Sequence, residues 1–107
     1  MTDAALISTF EAGILPPADF HHREHVRLAW LYLQLYGRAE TERRLLQGLR
    51  ALALRAGKPD KFDEPLTRAW VRRIEEAAAS AAAAPSSEAF VARHPELLAR
   101  LPAAPLP

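Results

Sequence analysis

The chain has no cysteine among its 107 residues, which excludes a disulfide framework and a thiolate metal site. Glycine is scarce, at four residues, and none belongs to a glycine-rich phosphate loop. Neither sign of charge is in excess. Fourteen Lys and Arg against thirteen Asp and Glu leave a net charge of +1, and the arginines are scattered among glutamates. That is not the one-sided basic surface of a nucleic-acid binder. No apolar run approaches the roughly 20 residues needed to cross a bilayer. The first residues lack a basic region followed by an apolar stretch, so they do not read as a signal peptide, and a cytoplasmic protein with no membrane partner is expected. Strand-like alternation and internal repeats are also missing.

What is present is helical. Half the residues are hydrophobic and a quarter charged, and the length fits one domain with a modest core. The pattern predicts an all-α, single-domain bundle of four to five helices over residues 1–101, followed by an extended tail over 102–107. The stretch H-R-E-H-V-R-L-A-W-L-Y-L-Q-L-Y-G, His22 to Gly37, is apolar on nearly all sides and should form the central helix. Thr2 or Asp3 can cap a short first helix over Ala4–Ala12, and Asp19 can cap the central one. A third helix should run from Arg38 to Ala56, with Leu45, Leu49, Leu52 and Ala56 inward. Asp63 can cap a fourth, with Leu66, Trp70, Ile74, Ala77 and Ala81 inward. Ser86 can cap a last helix carrying Phe90, Val91, Leu97, Leu98 and Leu101, divided by Pro95. Trp30, Tyr32, Tyr36 and Trp70 read as core or half-buried aromatics, and His94 as a surface residue.

His22 and His25 stand three apart at the start of the central helix, which puts both rings on the face continued by Val26, Ala29 and Leu33. Two neutral imidazoles so placed can ligate one metal. His21 and His25 are also correctly spaced, but His22 fits the inward row better. If helices two and three are antiparallel, and three and four likewise, then two and four begin at the same end of the bundle. Asp63 and Glu64 would then meet the histidines. His22, His25 and Glu64 are the candidate metal ligands, Asp63 a fourth ligand or general base, and Thr67 a source of a hydroxyl. Two histidines and a carboxylate suit iron, zinc or manganese with positions left open for chemistry. The same residues also have plain structural uses, since Asp63 is a good N-cap and Glu64 suits a helix N-terminus.

Two segments carry a resemblance. F-H-H-R-E-H-V-R-L-A-W-L-Y-L, Phe20 to Leu33, is followed by F-D-E-P-L-T-R-A-W, Phe62 to Trp70. Together they resemble a family of small uncharacterised bacterial helical proteins. That family has an aromatic, H-x-x-H-[LV] and A-[LW]-x-Y-L, then later an aromatic before H-E-T-[LI]-T-x-x-W. The likeness spans Phe10 to Trp70 and carries over His22, His25, Glu64 and Thr67. Asp63 stands where the family has His, and Pro65 where it has Thr. The family brings no activity with it, but its paired motifs are what a helical metal site would require. Two functions are therefore expected to compete. One is a metal-dependent enzyme acting on a small molecule. The other is a non-catalytic helical module that binds a ligand or a protein partner, and an apolar central helix with only short partners points to a homodimer.

Overall fold

A computed structural model describes residues 1–79 and 83–99. The chain is an all-α bundle of five α-helices among these residues: α1 (Asp3–Glu11), α2 (His22–Tyr36), α3 (Arg38–Arg55), α4 (Glu64–Ala79) and α5 (Ser87–Arg93). Short 3-10 turns cover Pro17–Asp19, Pro59–Lys61 and Pro95–Leu98, each opened by a proline whose missing N–H would go unused there. No helix among the described residues is long and apolar enough to cross a membrane. Ala81, Leu101 and the tail over 102–107 lie outside the described residues.

The central position of α2 follows from its sequence. Val26, Leu28, Ala29, Trp30 and Tyr32 are all buried, and the helix packs against α1, α3, α4 and α5. Leu6 and Phe10 from α1, Leu45 from α3, Trp70, Val71 and Ile74 from α4, and Phe90 and Val91 from α5 complete one core. Leu33 and Leu49 pack on its edge, half-buried. Leu66 is exposed rather than inward, because the first turn of α4 stands at the open end of the bundle. Tyr36 and Ala56 are exposed, a departure from the expected rows. Each is the last residue of its helix or one beyond, where the chain leaves the packed layer. Gly37 joins α2 to α3 alone at φ 84°, a left-handed conformation open to glycine at little cost.

The caps follow the sequence with one exception. Thr2 Oγ1 accepts the Ala5 N–H at 3.1 Å, Asp63 Oδ1 the Leu66 N–H at 3.0 Å, and Ser86 Oγ the Ala89 N–H at 3.1 Å. Asp19 does not cap α2, because it is held in the Pro17–Asp19 turn. His21 takes the N-cap position, and Glu24 reaches back to accept its backbone N–H at 2.9 Å, as in a capping box.

A polar cluster is buried behind α2. Arg27 is 3% exposed. Its Nε donates to Ser87 Oγ at 2.8 Å, and its Nη2 donates to the Met1 carbonyl at 2.7 Å and to Asp3 Oδ1 at 3.1 Å. Ser87 donates to Asp3 through both its backbone N–H and its hydroxyl. Burial alone would raise the Asp3 carboxyl, but these Ser87 bonds and the Arg27 guanidinium outweigh it and hold it below the usual carboxylate range.

Gly48 is where α1 and α3 meet. A Cβ there would collide with the ring of the buried Phe10. Gly48→Ala is therefore expected to destabilise by about 1–3 kcal/mol despite the better helix propensity of alanine. A thermal melt unchanged or raised would show that Phe10 can move aside.

Candidate functional site

A cavity of about 350 Å³ opens at one end of the bundle, where α2 and α4 begin and α3 ends. The α2 side supplies His22 and His25, α3 supplies Leu49, Leu52, Ala53 and Ala56, and α4 supplies Leu66, Thr67 and Trp70. Pro17 and Phe20 close one side, and Lys58, Lys61, Phe62 and Asp63 stand on the chain between α3 and α4. The common origin of α2 and α4 expected from the short connections thus sets the site's place. Its volume lies near the lower end of small-molecule pockets, roughly 300–1,000 Å³.

The two histidines differ in their partners. His22 is packed against the Trp70 indole, with ring centroids 4.4 Å apart, and its Nε2 lies 2.8 Å from the Leu97 carbonyl. A carbonyl only accepts, so Nε2 carries a proton, and in the neutral tautomer that fits this contact Nδ1 is the acceptor. His25 meets His22 edge-on at 5.9 Å and lies beside Phe20 at 6.2 Å. Its Nε2 is shut off from solvent with no hydrogen-bond partner among the described residues. Burial first, and the neighbouring His22 second, push the His25 imidazole down from 6.5 to about 4. His25 is therefore neutral at physiological pH.

That depression has a sign. The unfolded chain takes up a proton near pH 6.5 and the folded one only near 4. The contribution of neutral His25 is complete above the unfolded value and is lost as pH falls between the two. Linkage makes the loss about 3 kcal/mol at most. Denaturation midpoints measured from pH 7 to 4.5 should fall in the wild type and fall less in His25→Gln. Parallel curves would refute the depressed value.

Four of the five predicted site residues line the cavity: His22, His25, Asp63 and Thr67. Glu64 does not. Its carboxylate accepts from Arg68 Nη2 at 3.0 Å on the outer face of α4. Neighbouring residues on a helix are turned about 100° apart, so Asp63 and Glu64 cannot both face the cavity. Thr67 shares the Asp63 face four residues on, but its hydroxyl bonds back to the Asp63 carbonyl at 2.9 Å. His21 is solvent-facing beside Glu24. Among the described residues no three His, Asp or Glu side chains are grouped to hold one metal ion.

Sequence reasoning missed several participants. Lys58 and Lys61 lie outside any helical period and nothing in the pattern singled them out, while Phe62 stood out only as the aromatic that opens the second motif. His94 is not the surface residue expected. It packs on Phe90 at 4.7 Å, its Nδ1 lies 3.1 Å from Glu96, and its Nε2 is buried without a partner among the described residues.

The fold and the cavity define a small helical bundle with a mostly apolar pocket floored by a histidine pair. No family model, curated protein or solved structure matches the chain.

Proposed function

We propose that the chain is a non-catalytic helical module that binds a small organic molecule in the cavity between α2, α3 and α4. The observation that carries this reading is the mostly apolar cavity itself, whose lining includes His25, a residue with a buried Nε2 that has no hydrogen-bond partner among the described residues. An unsatisfied buried polar group costs about 1–3 kcal/mol, and such groups in native folds tend to serve a function. An imidazole that resists protonation until about pH 4 is a weak base, poorly matched to proton transfer at neutral pH. That argues against general-base catalysis by His25. The test is calorimetric titration with a neutral apolar probe, 4-phenylbutanol. Saturable binding to the wild type, lost in the cavity-filling Ala53→Phe, is expected. No heat in the wild type, or equal binding in Ala53→Phe, would end this reading.

A second reading is the metal-dependent enzyme, and one contact favours it. The Leu97 carbonyl on His22 Nε2 is the outer-sphere bond that commonly orients a metal-ligating histidine, here leaving Nδ1 free to ligate. His22 and His25 would hold the ion, with Asp63 on the same cavity. Elemental analysis of protein purified without a nickel column tests it. A stoichiometric ion lost in His22→Ala supports it, and no ion in the wild type removes it.

A further inference from the structure

The chain has two lysines and twelve arginines, and both lysines, Lys58 and Lys61, line the cavity. Both are exposed, so they stand on the solvent side of the lining. Neither enters an ion pair among the described residues, whereas Arg27, Arg38, Arg43, Arg44 and Arg68 all do. The opposing charge on the cavity is Asp63, and one of its oxygens already accepts the Leu66 N–H. Asp60, between the lysines, does not line it. Leaving the histidines aside, the lining carries two cations against one anion.

Resting on the reading of the cavity as a ligand site, we propose that its ligand is a small amphipathic anion. Its apolar body sits against Phe20, Leu49, Phe62 and Trp70, and its carboxylate or similar acid group is held at the mouth by Lys58 and Lys61. Flexible, hydrated ammonium groups suit an acid group that stays partly in water, where a rigid guanidinium fork is not needed. The apolar walls supply most of the attraction, since they remove hydrocarbon from water. The lysines set the sign of charge that the site prefers. The cavity volume of about 350 Å³ limits the body to something small, well short of a dinucleotide.

The experiment compares 4-phenylbutyrate with 4-phenylbutanol, which share a body and differ in the charged group, on the full chain at neutral pH. The acid is expected to bind roughly five- to tenfold tighter, as two solvent-facing ion pairs would allow. Added salt should shrink that ratio. In the double variant Lys58→Gln, Lys61→Gln the ratio should fall to about one, because the acid loses both of its cations. Alcohol bound as tightly as acid in the wild type overturns the anion inference and leaves the ligand cavity standing. A preference that survives in the double variant overturns the role of the lysines. Binding of neither probe overturns both the inference and the reading beneath it.

Discussion

Replacing Arg27 by alanine should lower the unfolding free energy by roughly 3–5 kcal/mol, the scale found when one partner of a buried ion pair is removed. The reason lies in what stays behind. Asp3 would keep its two bonds from Ser87 but lose its compensating cation, and the Met1 carbonyl and Ser87 hydroxyl would each lose a donor. Asp3 is about a third exposed, so water can reach it and the low end of the range is expected. The cluster ties the start of α1 to the middle of α2 and the start of α5, elements 24 and 60 residues from Arg27 in sequence. A urea titration reads the loss as a lower midpoint. A double-mutant cycle with Asp3→Ala should show that the two losses do not add. A loss under about 1 kcal/mol would mean the cluster is ornamental to stability.

Trp70→Ala should cost a similar amount, roughly 3–5 kcal/mol, by transfer of a large side chain and by the void it leaves. Trp70 is 5% exposed. One face of its indole meets His22, and Arg73 lies over the ring at 5.7 Å. Because Trp70 also forms a wall of the cavity, its loss would merge a new void with an existing one, leaving little chance for the site to collapse. Trp70→Phe should cost less, since it keeps a ring against His22. Denaturant midpoints for the pair decide the point. A cost for Trp70→Ala no greater than for Trp70→Phe would place the indole outside the core.

The helices and most caps were legible because each has a local cause. Thr2, Asp63 and Ser86 lie directly before apolar periods, and Gly37 lies directly after one. The pairing of His22 with His25 was legible for the same reason, a spacing of three on one helix. Glu64 was misplaced although the sequence held the correcting signal: Arg68 stands four residues on, the spacing of a surface ion pair. Asp63 and Thr67 form the neighbouring stripe. Arg27 could not be read, since its partners depend on how α1 and α5 dock. Lys58 and Lys61 act through a turn whose position is set by where α3 ends, and periodicity says nothing about turns.

The hydrogen bond from His22 to the Leu97 carbonyl joins the cavity floor to the turn Pro95–Leu98. Leu97 itself is buried, so that turn is a seated plug rather than a loose end. Occupancy of the cavity and seating of the plug then share one side chain, and their free energies are reciprocal: whatever fixes His22 from the inside also holds the turn from the outside. Hydrogen exchange at the Leu97 amide, which donates to the His94 carbonyl at 3.0 Å, is the readout. It should slow when 4-phenylbutanol fills the cavity, and an unchanged rate would show the two to be independent. The floor of this pocket and the turn after α5 are thus expected to open and close together.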